Sequence, residues 1–356
     1  MLHSLSILML AMPAPEQAAT EAGGNIRQLT VTETVAVDSA AIAEAVRAYA
    51  EQEDSGFRTF TSKDESIIVY TDFSKSEGKR FMKAIETMLD RMDYAFGPKP
   101  ELPATEEVLS DLRESGFEVP RSTSPLIAFL IIDPAHYYGL LDTIKEVAPD
   151  QRDFMARSRN TTGFTLFAPE LTAYFHDIDV QEEAMPDRSL AHNLVHLELN
   201  RRYGTLPLWV REGIATAVED MCWGEVWGPW YLNGFVFASS HGDWRGKGTQ
   251  KLVEGLEGGI DRLYTYKANP YDDDLAHLSF AFATYAMLEE SEGFQAFLKG
   301  LQELYAEVNT EGGLPAFSKE QVATVFAASF EEGFLERMQE WWEKPPRWNK
   351  KPKKKR

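Results

Sequence analysis

The stretch SLAHNLVHLELNRRYGTLPLWVREGIA, Ser189 to Ala215, places two histidines four residues apart and a glutamate beyond a short break. Its pattern predicts a helix from an N-cap at Asp187, just after Pro186, to Tyr203, with Gly204 as the stop. Residues four apart share a helix face, so His192 and His196 can present imidazole nitrogens to one ion. After the tight turn Gly204–Pro207, a second helix beginning near Leu208 carries Glu212, and a helix–turn–helix can return that carboxylate to the histidines. Two His and one carboxylate with an open fourth position make a catalytic-type zinc site rather than a closed structural one. The histidine spacing alone is weakly specific, because capped or surface histidines also occur at this interval.

More specific is the conjunction with P-x-W-x-x-E-G-x-A, carried by Pro207, Trp209, Glu212, Gly213 and Ala215. On these residues the chain resembles the gluzincin metallopeptidases, whose H-E-x-x-H helix is completed by a glutamate on a following helix. It looks most like an uncharacterised bacterial peptidase-like branch reading AHE-x-x-H…LN-R-x-G-x-x-P-x-W-x-x-EG-x-A. The resemblance spans roughly 57–342 by motif order. It implies a zincin-like fold with His192, His196 and Glu212 as zinc ligands and peptide or a protein partner in the cleft.

The chain departs from that family at Asn193. There the family carries the glutamate that takes a proton from the attacking water and later delivers it to the leaving amine. An amide can hold water by hydrogen bonds but has no basic lone pair. Glu198 lies about 140° around the helix from Asn193 and faces away, and Asn200 shares the face but is again an amide. Glu219, about two turns beyond Glu212 on one face, suits a partner that orients a ligand histidine. The resemblance thus implies a pseudopeptidase that keeps the metal site and lacks the proton shuttle. Trp209 and Glu219 are candidates for supporting or lining the site. Tyr231, His241, His277 and Tyr285 are candidates for steadying an oxyanion, and His3 and His136 have no implicating spacing. Tyr174, Phe175 and His176 form the expected edge strand along which a peptide would add.

Composition bounds the alternatives. A net charge of −20 argues against nucleic acid, which requires a basic face. The single cysteine, Cys222, excludes an internal disulfide and a thiolate metal cluster. The apolar run Leu5–Met12, followed by prolines and small residues, resembles a secretory signal and suggests export, with a cytoplasmic location as the alternative. No later run is long enough to span a bilayer. The tail Arg347–Arg356 carries five Lys and two Arg; it reads as solvated, with contact to an acidic surface as the sharper reading.

Along the chain, Gln28–Val37 alternates like a strand and Ala40–Glu53 has helical spacing. Ser66–Thr71 reads as a buried strand. Ser74 and Glu77 form a capping-box pair ahead of a helix ending near Gly97. Pro125–Ile132, Gly163–Ala168 and Leu171–Phe175 read as further strands, and the sequence after Asp187 is mostly helical. The expected class is α+β: a mixed sheet-plus-helix lobe, then an α-helical lobe, with a cleft between them. The boundaries are a signal-like segment 1–22, a strand/helix extension 23–56, the α+β lobe 57–203, the helical lobe 204–345 and the basic tail 346–356. The Trp-rich stretch Met221–Trp244 follows the Glu212 helix and should wall one side of the site. Two other functions stay open: an active zinc metallohydrolase with an unconventional base, and a metal-free module binding carbohydrate or polypeptide through those tryptophans.

Overall fold

A computed structural model of the chain describes residues 39–96, 125–160, 163–167, 169–176, 186–204, 206–224, 226, 244–246, 263, 273–308 and 318–343. The signal-like segment, the strand expected at 28–37, the basic tail, Tyr231, His241 and most of the Trp-rich stretch lie outside these residues.

Five strands form one mixed sheet: β1 (Arg58–Thr61), β2 (Ile67–Thr71), β3 (Leu126–Ile131), β4 (Gly163–Phe167) and β5 (Glu170–Phe175), in the order β1-β2-β3-β5-β4. β2, β3 and β5 run parallel, and the two outer strands are antiparallel to their neighbours. Central β3 reads LIAFLI with every residue buried, as expected for a parallel strand covered on both faces. One face, with Tyr70, Ile127, Phe129, Ile131 and Phe175, packs under α1 (Ser39–Glu51) and α3 (Pro134–Val147). A 3-10 turn at Pro149–Gln151 and α4 (Arg152–Ser158) follow. The helix α1, assigned from sequence to an extension, therefore belongs to this core: Ile42, Val46 and Ala50, spaced along one stripe, are buried in it.

The opposite sheet face, with Val69, Ala128, Leu130 and Tyr174, packs against α2 (Lys75–Phe96) and α5 (Pro186–Tyr203). The start of α2 is a capping box, with the Ser74 N–H donating to Glu77 Oε2 at 3.1 Å and the Glu77 N–H to Ser74 Oγ at 3.4 Å. Gly204, at φ +72°, ends α5, its N–H donating to Asn200 O.

Beyond it come α6 (Leu208–Trp223), α7 (Asp273–Glu289), α8 (Ser291–Val308), α9 (Lys319–Ser329) and α10 (Phe334–Glu343). Every residue of α6 from Trp209 to Asp220 is buried, so this helix runs through the middle of the molecule. It crosses α7 closely at Gly213, where an added Cβ would meet Ser279 O at 2.5 Å. The core of these helices is continuous with the α2/α5 face of the sheet, so the two lobes share one apolar interior.

One sequence expectation is corrected here. Tyr174 and Phe175 do not form an edge: β5 is hydrogen-bonded to β3 on one side and β4 on the other, and the His176 N–H donates to Ile131 O at 2.7 Å. The edges among the described strands are β1 and, on this side, β4, the first strand of the Gly163–Phe175 hairpin. Trp209 is buried against Phe282 and Phe297, with ring centroids 5.3 and 6.2 Å away, in the aromatic core of the helical lobe.

Candidate metal centre

Helix α5 is held in place from several sides. Arg201 donates from Nε and Nη2 to Glu170 Oε2 at the start of β5, at 2.8 and 2.6 Å. Arg202 donates to Asp93 Oδ1 on α2 at 2.5 Å, and its Nε lies 3.7 Å from Glu198, on the buried side facing away from Asn193. Apolar Leu190, Leu194, Val195 and Leu197 fill the core around the helix. The backbone that carries the histidines is therefore fixed by packing and charge pairs outside the histidines themselves.

On this helix the two imidazoles meet edge to face, with ring centroids 4.8 Å apart and an interplanar angle of 75°. Their Nε2 atoms are 3.0 Å apart. From α6, Glu212 presents Oε2 at 3.5 Å from His192 Nε2 and Oε1 at 3.7 Å from His196 Nε2. One ligand atom from each residue lies within 4.8 Å of the other two, and all three side chains are buried. Two ligands about 2.05 Å from one ion in tetrahedral array lie roughly 3.3 Å apart. The observed spacings of 3.0 to 3.7 Å straddle that value, so this group can hold a metal ion.

Behind the ligands, Glu219 Oε1 accepts a hydrogen bond from His192 Nδ1 at 2.9 Å. This bond fixes the ring and its tautomer, leaving Nε2 to face the ligand cluster. His196 has no such support: its buried Nδ1 lacks a hydrogen-bond partner among the described residues. Charge follows the same asymmetry. Burial drives both imidazoles towards neutrality; at His192 the hydrogen bonds to Glu212 and Glu219 outweigh it and raise the pKa, while at His196 burial prevails and lowers it. Burial would also raise the Glu212 pKa, but the neighbouring imidazoles reverse this and hold it below the usual carboxylate range.

Asn193 is half-buried on the turn that carries His192, and its amide makes no hydrogen bond to a described residue. Asn200 lies on the same helix, also half-buried. The other described candidates have these surroundings. His277, on α7, stacks on Trp244 with centroids 4.1 Å apart. Tyr285 donates to Glu290 Oε1 at 3.2 Å and packs on Phe334 and Trp341. His136 Nδ1 lies 2.8 Å from Asp72 Oδ2; the same carboxylate accepts from the Ile132 and Asp133 N–H groups, closing the β3–α3 turn.

Sequence reasoning passed over Arg211, which precedes Glu212 and is buried beside it. Its signal was present: a cation in the first turn of an apolar helix, at the end where the helix dipole disfavours positive charge.

The chain matches no protein-family model, and no curated protein matches it. Among the described residues no helix is long and apolar enough to cross a membrane.

Proposed function

We propose that this chain is a zinc-binding protein of gluzincin type that binds a peptide or a protein partner and has lost the means of cleaving it. The observation that carries this reading is the pairing of a buried His192–His196–Glu212 group, backed by Glu219, with an amide at Asn193. Zinc, when bound there, supplies a Lewis acid that polarises a carbonyl. Every proton step falls to the chain's own side chains. Glu219 holds His192 by its Nδ1–H and so keeps Nε2 directed at the cluster. Asn193 can donate to a carbonyl or accept from a water, but a water beside it keeps its proton. Loss of a positioned general base costs about 10² to 10⁴ in rate. Among the described residues, the Glu219 carboxylate is engaged with His192 and Glu198 lies against Arg202.

The peptide's place is the outer edge of β4. Among the described residues β4 pairs only with β5, so its other side can accept an extended chain as a further strand. Its last residue, Phe167, reaches the first turn of α6, with the Arg211 Cζ 5.9 Å from its ring centroid.

Metal analysis of the purified full-length chain, with a peptide-library digest, tests the reading. The expected results are one zinc per chain, lost in His196→Ala, no cleavage by wild type, and hydrolysis gained in Asn193→Glu but not in Asn193→Glu combined with His196→Ala. Zinc-dependent cleavage by wild type, or absence of metal after zinc-supplemented expression, overturns it.

A further inference from the structure

Arg211 is 4 % exposed. Its Nε has no hydrogen-bond partner, and among the described residues no carboxylate pairs with the guanidinium. Three other arginines near this core have carboxylate partners: Arg201 in Glu170 at 2.6 Å, Arg202 in Asp93 at 2.5 Å and Arg245 in Asp220 at 3.0 Å. A buried cation left without a counter-charge costs several kcal/mol. Glu212, its neighbour in sequence, already points both carboxylate oxygens at the imidazoles. The guanidinium is instead flanked by the Phe167 ring at the end of the edge strand. The surrounding helix end adds to the demand for an anion: the first turn of α6 has no acidic residue, and no side chain caps it.

We infer that Arg211 is the anchor for a carboxylate of the bound peptide, either its C-terminus or an Asp or Glu side chain. The planar guanidinium fork matches a carboxylate with two parallel hydrogen bonds, which is why arginine is used where such recognition matters. The overall charge agrees. A divalent cation and Arg211 against Glu212 and Glu219 leave one positive charge, which an anionic ligand neutralises. The anchor sits where β4 ends and the ligand group begins, so it selects peptides whose carboxylate lies next to the carbonyl presented to the metal. This inference rests on the peptide-binding reading above but does not require that the ion be zinc.

The test is calorimetric titration of the full-length chain with three probes: an acetylated dipeptide with a free C-terminal carboxylate, the same peptide as its C-terminal amide, and an amide-capped peptide with a glutamate side chain. At least one carboxylate probe should bind tenfold or more tighter than the neutral amide, and which one does so identifies the source of the carboxylate. Arg211→Gln should abolish the preference while metal content and melting temperature hold, and Arg211→Lys should keep only part of it. Should Arg211→Gln fail to fold, the wild-type ranking and Arg211→Lys still decide. Equal binding of all three probes, binding of none, or a preference that survives in Arg211→Gln overturns the inference. A preference seen in protein without zinc leaves the inference standing and removes the zinc reading alone.

Discussion

Replacing Gly213 by alanine probes how Glu212, the carboxylate of the candidate metal group, is placed. An added Cβ would stand 2.5 Å from Ser279 O and 2.8 Å from Ser279 C, both backbone atoms that cannot swing aside. Bringing the oxygen to the 3.4 Å of ordinary contact requires α6 and α7 to part by about 0.9 Å. Overpacking of this kind costs up to about 3 kcal/mol. Alanine's better helix propensity returns about 1 kcal/mol. The net loss of up to about 2 kcal/mol lowers the melting temperature of a chain this long by roughly 3–4 °C. Glu212 is the adjacent residue, and a metal site tolerates ligand displacements of only about 0.2 Å, so zinc affinity should fall by about tenfold or more. Thermal unfolding and competition with a chromophoric chelator measure the two effects. Gly204→Ala is the control: no atom lies within 4 Å of its Cβ, but φ is +72°. It should cost about 1–2 kcal/mol from the left-handed backbone and leave zinc affinity intact. If Gly213→Ala melts at or above wild type with unchanged affinity, the close crossing is not what positions Glu212.

Glu219→Gln, isosteric and buried, removes the charge behind His192 and should weaken zinc binding by about tenfold; unchanged affinity in the chelator assay would mean that His192 is oriented by packing alone. Cys222 should be nearly inert to iodoacetamide at pH 8, because burial pushes its thiol up to about 12 from an ordinary 9.0. That leaves about 10³-fold less thiolate than in a free cysteine, and alkylation should become normal in denaturant. The sign for stability follows. The thiolate is disfavoured in the fold, so the protein loses stability as pH climbs past 9.0, the thiol's ordinary value; stability unchanged across that range in Cys222→Ser but also in wild type would refute it.

The candidate ligand set was legible from local rules together with the family resemblance. Helical spacing put His192 and His196 on one face, Gly204 marked the stop, and the next helix brought back Glu212, all within one short stretch. The Ser74–Glu77 capping box and the apolar run at Leu126–Ile131 were read the same way, since capping and burial leave marks in neighbouring residues. The helix at Pro134–Val147 had a comparable mark, with the Asp133 side chain accepting from the Ala135 N–H and Pro134 in the first turn, and it went unread. Other features have no local signature. Whether β4 or β5 is the edge depends on which strand β3 pairs with, and β3 lies before both in the chain, across the α3 and α4 helices. A strand buried on both faces reads alike in either place. Gly213 is required by Ser279, Trp209 is packed by Phe282 and Phe297, and Arg211 stands out only because no carboxylate among the described residues pairs with it. The sequence by itself thus determined which side chains share a helix face, because that follows from covalent spacing. The tertiary structure decided the sheet edge, the neighbours of each buried group and the charge left unanswered, because those depend on contacts between segments far apart in the chain.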